Sequence, residues 1–308
     1  MTHFSNSLVP TFVFHLIAKT MILVTGATGK LGGKVIDTLI RNQIDPGKIA
    51  ALVRQEEKAV HLKEQGIDIR IGDYDDRASL DRAMDGIDRV LLVSGVDRSK
   101  IMQQHKNVID AAKQGGVRSL SYTGNCLKDR YTLVNDIMLS HFETEDYIMA
   151  SGLNYQIFRN VLYMDSMAHY MLGKDFLAKG INLPAGDGRV AYALRSEEAE
   201  AIGNVLAHEH LDSRSYNFTG TRAYSFYDVA ETLSELYGVK ITYTPVSMEA
   251  YTASALSSGV PEQAVKMMAP FFTDIANGQG SMVATDLENA LGRKPADLKT
   301  GLKALLNL

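Results

Sequence analysis

Short apolar runs alternate with segments of helical periodicity over the first half of the chain. Runs such as 49–54 and 89–94 are almost continuously apolar, which is typical of strands covered on both faces. Seven runs predict strands, at residues 21–25, 49–54, 67–71, 89–94, 120–123, 155–159 and 215–220. Helices are predicted from the apolar stripe that begins at Leu31, and at 101–114, 138–150, 225–237, 261–277 and 297–306, with Ser225 and Asp297 as candidate helix caps.

This alternation predicts an α/β fold, a doubly wound parallel sheet built from right-handed βαβ units. The rhythm changes after about residue 160, where Met, Tyr and Phe become frequent and clear strands become fewer. We therefore predict a sheet domain over 21–160 and a smaller, mainly helical lobe over 161–308. Segments near 190–222 are expected to return to the sheet.

The first twenty residues precede the first convincing strand. Their apolar run at 9–18 is about half as long as a membrane-spanning helix requires. No Lys or Arg stands before it, as a signal peptide would need. We interpret 1–20 as a leader or extension outside the fold. The alternative is a short apolar arm that packs on the surface or on a partner chain.

Composition narrows the classes of function. The chain has 308 residues, 45% hydrophobic and 22% charged, with a formal net charge of −4. This balance argues against disorder and gives no electrostatic footprint for nucleic acid or an anionic membrane. A single cysteine, Cys126, excludes an internal disulfide and a cysteine-based zinc cluster, and no metal site is predicted. We expect a cytoplasmic protein without a membrane span.

The strongest motif is the glycine-rich segment TGATGKLGG at 25–33, which follows the first strand and opens the first helix. Gly26 permits the tight turn out of the strand, and Gly29 lets the backbone approach a pyrophosphate. Gly32 allows close packing of helix on strand. The helix N-terminus then offers unpaired N–H groups to phosphates. We predict a dinucleotide-binding (Rossmann) domain over 21–160, with cofactor contacts also from Thr28, Lys30 and Leu31.

The end of the second strand indicates which dinucleotide binds. NAD-binding sites usually place Asp or Glu there, about 20 residues beyond the loop, to accept from the ribose 2′-hydroxyl. This chain has Arg54, whose guanidinium can pair with a 2′-phosphate. NADP(H) is therefore the favoured cofactor and NAD(H) the alternative. A solvated arginine at a strand end is the other reading of Arg54.

Together these segments resemble the NmrA-like atypical short-chain dehydrogenases. The resemblance rests on the loop followed by ALVR, GDYDD and LLVSG, then on HFETE, FRN and AGDG, and covers essentially residue 21 to the C-terminus. Within this family the chain is most similar to the bacterial quinone oxidoreductase type 2 and triphenylmethane reductase group. The loop alone is shared by a vast superfamily, whereas its combination with HxxTE and RNxxY is more specific.

The resemblance implies further cofactor contacts at the ends of the later strands. Asp73 and Tyr74 would lie near the adenine. Ser94 and Gly95 would border the ribose and nicotinamide, and Thr123 would lie beneath the nicotinamide. These positions agree with the rule that ligands bind outside the carboxyl ends of parallel strands.

The resemblance also implies a cleft between the sheet domain and the later lobe, which would hold the substrate. Asn160 would contact the cofactor and line this cleft. Tyr163 and the turn that contains Gly186 and Asp187 would complete its lining. The 161–308 lobe is therefore expected to bind substrate.

The chain departs from the wider superfamily at the catalytic acid. The usual Tyr-x-x-x-Lys pair is replaced by Tyr131 followed by Asn135, so no nearby cation lowers a tyrosine pKa. His141 is the candidate proton donor instead, because an imidazole can donate near neutral pH. A histidine on the helix surface or one that packs in a pocket is the alternative. Glu145, four residues later on one helix face, would orient the imidazole or be solvated.

These features predict an NADPH-dependent reductase that transfers hydride to a quinone or a similar conjugated aromatic acceptor. The alternative is a non-catalytic NADP(H)-sensing regulator that binds a partner protein, since the fold alone cannot discriminate. A sugar-nucleotide epimerase ranks third because it needs a competent Tyr/Lys pair. The expected partner is a small molecule rather than nucleic acid, with a homodimer as a further option.

Overall fold

The computed structural model describes residues 20–208 and 212–308. All seven predicted strands form, with ends within two residues of the predicted ones. The strands are β1 (Ile22–Val24), β2 (Ile49–Val53), β3 (Asp68–Ile71), β4 (Arg89–Leu92), β5 (Ser119–Asn125), β6 (Asn154–Asn160), β7 (Ile181–Leu183), β8 (Arg189–Val190), β9 (Arg214–Phe218), β10 (Tyr224–Ser225) and β11 (Tyr243–Pro245).

Within the described part of the chain, seven strands form one parallel sheet in the order β3-β2-β1-β4-β5-β6-β9. The order reverses beside β1, where Ile22 pairs with Ile49 on one side and with Arg89 on the other. Such a switch point opens a crevice at the carboxyl ends of the strands. The predicted doubly wound parallel sheet is confirmed, and β9 is the segment that returns to it.

Helices connect the strands and continue through the second half of the chain. They are α1 (Lys30–Arg41), α2 (Val60–Glu64), α3 (Arg77–Ala83), α4 (Ile101–Gln114), α5 (Asp136–Ser151), α6 (Met164–Ser166), α7 (Phe176–Lys179), α8 (Arg195–Ala207), α9 (Phe226–Tyr237), α10 (Met248–Ser257), α11 (Glu262–Ala276), α12 (Asp286–Leu291) and α13 (Leu298–Leu306). A π-helical turn, Met167–Met171, extends α6. The six predicted helices are among them, with ends shifted by a few residues at most.

The core lies on both faces of the sheet. Leu23 packs in one apolar cluster with residues of α3, α4 and α5, whereas Ile22 and Val24 pack in a second cluster with residues of α1 and α8. This separation follows from the two-residue period of a strand, in which successive side chains point to opposite faces. A sheet covered on both faces explains the near-continuous apolar runs of the central strands.

The second half of the chain is largely helical but contains more strand than the sequence predicts. In the described residues, β8 pairs with β10 in one two-stranded sheet and β7 with β11 in another. Strands of two or three residues are too short to produce a periodic pattern. The predicted helix caps do form: Ser225 makes a capping box with Asp228, and Asp297 accepts from the Thr300 amide.

The interpretation of 1–20 as a leader lies outside the described residues, apart from Thr20. Among the residues that the structure describes, no helix has the length and apolar character needed to span a bilayer.

Candidate active site at the carboxyl ends of the strands

The glycine loop leaves β1 as a tight turn at the carboxyl edge of the sheet. Gly26 has φ +58°, a left-handed conformation that glycine adopts without strain, and a Cβ there would lie 3.2 Å from Cβ of Val93. The Gly29 amide donates to the Gly26 carbonyl oxygen at 2.9 Å, which closes the turn. Thr28, Gly29 and Lys30 are exposed, so the loop faces the crevice rather than the core.

Helix α1 begins directly after this turn and packs tightly against it. A Cβ on Gly32 would overlap the Gly26 carbonyl group and lie 3.2 Å from Cα of Ala27. Gly29 is the N-cap residue, and no side chain caps the helix. The first N–H groups of α1, from Lys30 and Leu31 onward, thus lack an intrahelical partner. A glycine turn with an uncapped helix N-terminus has the features that a pyrophosphate site requires.

Arg54 stands exposed one residue beyond β2. Across residues 20–208 and 212–308, no carboxylate forms an ion pair with its guanidinium. Its charge does reach the hydroxyl of Tyr74 and favours ionisation of that group. An unpaired guanidinium at this strand end fits the 2′-phosphate of NADP(H).

Tyr74 joins the ends of three strands through its hydroxyl. That hydroxyl contacts Oγ1 of Thr25 and donates to the Val93 carbonyl oxygen at 2.8 Å. Oγ1 of Thr25 in turn accepts from the Val93 amide at 2.9 Å. Burial raises the pKa of Tyr74, so the phenol is neutral. Tyr74 therefore holds together the segments that follow β1, β3 and β4. It lies next to Asp73, the other residue predicted to lie near the adenine.

The segment after β4 is held on two sides. The Ser94 amide donates to Oγ1 of buried Thr123 at 2.9 Å, which joins the ends of β4 and β5. The Gly95 amide donates to Nε2 of His105, on α4, at 3.0 Å. Ser94, Gly95 and Thr123, the three residues expected near the ribose and nicotinamide, are therefore neighbours at one edge of the sheet.

His141 lies on α5 and is 7% exposed. Its Nδ1 is 2.7 Å from the hydroxyl of Tyr122, a fully buried residue of β5. Burial lowers the pKa of His141 to about 4, so the imidazole is neutral at physiological pH. A neutral imidazole is a poor proton donor, so this geometry favours a packing role for His141.

Glu145 occupies neither of the two positions expected for it. Its carboxylate is 2% exposed and bound by Arg159 of β6, with Nη2–Oε2 at 2.6 Å and Nε–Oε1 at 3.0 Å. This bidentate pair ties α5 to the sheet. A Cβ on Gly124 would lie 3.1 Å from Oε1 of Glu145, so glycine leaves room for the pair where it crosses β5.

Asn160 and Tyr163 are adjacent at the end of β6. Nδ2 of Asn160 donates to the Tyr163 hydroxyl at 3.2 Å, while its buried Oδ1 has no partner among the described residues. Arg195, at the start of α8, lies 4.7 Å from the centre of the Tyr163 ring and 3.5 Å from Asp165. An aromatic face backed by a guanidinium suits a planar conjugated ligand.

The turn with Gly186 and Asp187 connects β7 to β8. Gly186 has φ +50°, and its carbonyl oxygen accepts from the Tyr243 hydroxyl at 3.0 Å. Asp187 lines a groove with Asn277 and Ser281, just beyond the end of α11. The structure thus places this turn against α11, and its contribution to the substrate cleft stays a prediction.

Two other chemistries lack support in the geometry. Cys126 is buried, and burial raises the pKa of its thiol to about 12, which leaves it unreactive as a nucleophile. Across the described residues, no cluster of three or more His, Cys, Asp or Glu side chains is placed to hold a metal.

Sequence reasoning missed two buried polar residues of this region. His105 is 0% exposed and binds the Gly95 amide, and Glu198 of α8 is 0% exposed with neither carboxyl oxygen hydrogen-bonded to a described residue. Burial raises the pKa of Glu198 well above its usual value. No local signal marks either residue, because each looks in sequence like an ordinary polar residue of a helix.

Comparison with known proteins agrees with this geometry. The chain is 31% identical to quinone oxidoreductase 2 of Escherichia coli (strain K12), over 94% of this chain and 99% of the relative. A solved structure of that organism's NADPH-dependent quinone oxidoreductase with NADPH superimposes with a TM-score of 0.85, over 93% of this chain and 100% of the relative. Triphenylmethane reductase of Citrobacter sp. complexed with NADP(H) is 34% identical with a TM-score of 0.86, over 92% and 99% of the two chains.

The family resemblance extends along almost the whole chain. The family model described as the NmrA-like family matches residues 18–305, which include the glycine loop, the sheet and the C-terminal helices. The predicted family is therefore confirmed, and the chain belongs to the NmrA-like family.

Proposed function

We propose that this protein is an NADPH-dependent reductase that transfers hydride to a quinone or another planar conjugated acceptor. The observation that carries the proposal is a dinucleotide loop together with Arg54 at the end of β2, whose guanidinium forms no ion pair with the residues that the structure describes. Relatives at 30% identity or more include a quinone oxidoreductase and a dye reductase, and solved structures of both contain NADP(H) or NADPH. Oxidoreductase chemistry with NADP(H) is thus the shared expectation.

The residues divide into two groups in this proposal. The loop residues Gly26, Gly29 and Gly32 admit the pyrophosphate, and Arg54 pairs with the 2′-phosphate. Bound NADPH supplies the hydride. At the other end of the crevice, the acceptor would meet the ring of Tyr163, whose hydroxyl accepts a hydrogen bond from the buried side chain of Asn160.

The protonation state of the buried groups in this region suits a quinone as the hydride acceptor. His105, Tyr122 and His141 are buried and neutral at physiological pH, with histidine pKa values of about 3 and about 4 and a tyrosine pKa raised by burial. None is poised to release a proton near neutral pH. A quinone that gains a hydride becomes a hydroquinone anion, which takes its proton from water. The missing Tyr-x-x-x-Lys pair is therefore no obstacle to this reaction.

A conjugated dye is the second acceptor class that a specific observation favours. Arg195 lies over one face of the Tyr163 ring, 4.7 Å from its centre, and in this proposal the opposite face stacks on an extended π-system. Two relatives carry names of this kind, the Citrobacter triphenylmethane reductase and the NAD(P)H azoreductase of Xenophilus azovorans, 26% identical over 80% of this chain.

The decisive experiment follows NADPH consumption. Purified protein is mixed with NADPH and a panel of quinones and dyes, and the nicotinamide absorbance band is recorded. Gly29→Val protein, purified in the same way, shows whether a contaminating reductase contributes. We expect the wild type alone to oxidise NADPH with at least one quinone. If NADPH binds but is oxidised with none of the acceptors, the sensing regulator is favoured instead.

A further inference from the structure

Three consecutive backbone amides are captured where the chain leaves β4. The amide of Val93 donates to Thr25 of the glycine loop, and that of Ser94 to Thr123 at the end of β5. The third amide, that of Gly95, donates to Nε2 of His105. The first two acceptors lie at the carboxyl ends of the neighbouring strands β1 and β5, whereas His105 reaches the segment from helix α4. The path of the chain at Gly95 therefore depends on α4.

The hydrogen bonds of His105 specify a single tautomer. Because an amide can only donate, Nε2 must be the acceptor for Gly95. Nδ1 lies 2.8 Å from Oγ1 of Thr144, whose own proton goes to the Ser140 carbonyl oxygen at 2.7 Å. Nδ1 therefore carries the ring proton and donates to Thr144. Burial lowers the pKa of His105 to about 3, which keeps the acceptor available at physiological pH.

Neighbouring side chains of α4 hold the segment after β3. Nδ2 of Asn107 donates to the Tyr74 carbonyl oxygen at 2.8 Å. Nε2 of Gln104 donates to Oδ2 of Asp75 at 3.2 Å. Within one turn, α4 thus binds both segments of the crevice that follow β3 and β4. Gln104 also lies against Gly95, since a Cβ there would be 3.0 Å from its Oε1.

We propose that Gln104, His105 and Asn107 form a cofactor-positioning clamp on α4, in which His105 sets the nicotinamide end of the site and Asn107 sets the adenine end. None of the three touches the cofactor in this proposal; each acts through the backbone that it holds. The inference rests on the proposed placement of Gly95 beside the nicotinamide ribose and of Tyr74 beside the adenine.

The test separates the two ends by comparing two ligands. NADPH spans the whole site, whereas adenosine 2′,5′-diphosphate carries only the adenine end. His105→Leu removes the acceptor for Gly95 and fills the buried position with an apolar side chain. We expect its dissociation constant for NADPH to rise about tenfold, which corresponds to the loss of one hydrogen bond that positions the segment, with affinity for adenosine 2′,5′-diphosphate within about twofold of wild type. Equal losses for both ligands, or none, would overturn the assignment.

Asn107→Ala, two residues from His105 on the same helix, is the matched variant. Because it frees the segment after β3, we expect both ligands to bind more weakly, and by similar factors. A loss confined to NADPH would contradict the assignment of Asn107 to the adenine end. Both measurements use binding alone, so they remain decisive even if no quinone is reduced.

A pair of amide replacements covers the case in which His105→Leu does not fold. The side-chain oxygen of His105→Gln is as many bonds from Cα as Nε2, so it can accept from Gly95, whereas His105→Asn is one bond too short. We expect Gln to retain NADPH affinity and Asn to lose about tenfold. Indistinguishable NADPH affinities in these two variants would overturn the role of His105.

Discussion

The hydroxyl of Tyr122 lies 2.7 Å from Nδ1 of His141, and both groups are buried between α5 and the sheet. Because burial disfavours the imidazolium, the His141 pKa falls to about 4. The two side chains thus form a neutral pair between α5 and β5. This pairing makes the function of His141 testable in a specific way.

We expect His141→Gln to turn over within about threefold of wild type, because glutamine keeps a hydrogen-bonding group but cannot act as an acid near neutral pH. Steady-state kinetics with a quinone found in the panel provide the measurement. The turnover of wild type should also show no step from this imidazole between about pH 5 and 8. A hundredfold fall in the Gln variant, with NADPH affinity intact, would instead establish acid catalysis by His141.

Tyr122→Phe is the matched control for this pair. It leaves Nδ1 of His141 buried without its partner, so we expect a loss of about 1–3 kcal/mol in the free energy of unfolding. Turnover of the folded variant should change little. This combination would identify the pair as structural.

The sheet could be predicted from sequence because its signals are local. The continuous apolar runs of β2 and β4 and the caps Ser225 and Asp297 lie within the elements that they define. The glycine loop is equally local, since turn, helix start and close packing follow one another within nine residues of 25–33. Such features require no knowledge of distant contacts.

The side chains that hold the site in place could not be predicted from sequence, because their contacts join residues that are far apart in the chain. His105 reads as one more residue of an amphipathic helix, and only the folded chain brings Nε2 to the Gly95 amide. Glu145 was expected beside His141 on one helix face, but Arg159 of β6 takes its carboxylate. Pairing across elements decides such cases, and a single sequence does not encode it in a periodic pattern.

Arg54→Asp should weaken NADPH about ten- to hundredfold while NADH affinity changes far less, since one charge-assisted bidentate contact is lost. Fluorescence titration with both cofactors gives the comparison. Lys48→Asp is the control, because Lys48 ends the turn at the opposite end of β2 and undergoes the same change of charge. If both variants lose NADPH affinity equally, the effect is one of general charge and not of a 2′-phosphate contact.

The loop glycines should respond differently to substitution. Gly29 has ordinary extended backbone angles and is exposed, and a Cβ there would lie 3.1 Å from the Gly26 carbonyl oxygen, a contact that a small shift of the loop relieves. Gly29→Val should therefore keep a native circular dichroism spectrum and lose NADPH binding. A Cβ on Gly32 overlaps the Gly26 carbonyl group, so Gly32→Ala should lower the melting temperature as well. Gly47→Ala, whose Cβ meets only Asp45 at ordinary contact distance, controls for loss of a glycine. Unchanged NADPH affinity in Gly29→Val would make the loop a structural turn.

Two adjacent acids on α8 should have opposite effects on stability. Glu197 accepts from Arg293 at 2.5 Å and from the Ala296 amide at 2.9 Å. The carboxyl oxygens of Glu198 make no hydrogen bond of good geometry to the described residues, because the Val161 amide, which lies near them, donates to the Phe218 carbonyl oxygen at 2.9 Å. A buried polar group without a partner is destabilising. We expect Glu198→Leu to raise the free energy of unfolding by about 1–3 kcal/mol, and Glu197→Leu to lower it.

The pH dependence of stability distinguishes the effect of the buried Glu198 carboxyl group from a general effect of packing. The pKa of Glu198 in the folded state lies well above its value in the unfolded state. At pH values between the two pKa values, the folded protein therefore holds a proton on Glu198 that the unfolded chain has released. Stability from this group is therefore present below the unfolded pKa and is lost as pH rises towards the folded one. The gain from Glu198→Leu should accordingly be larger at about pH 8 than at about pH 5, as measured by urea unfolding at both values. A gain that is equal at the two pH values would mean that Glu198 keeps an ordinary pKa, and a loss of stability at both would mean that its carboxyl group is paired in solution.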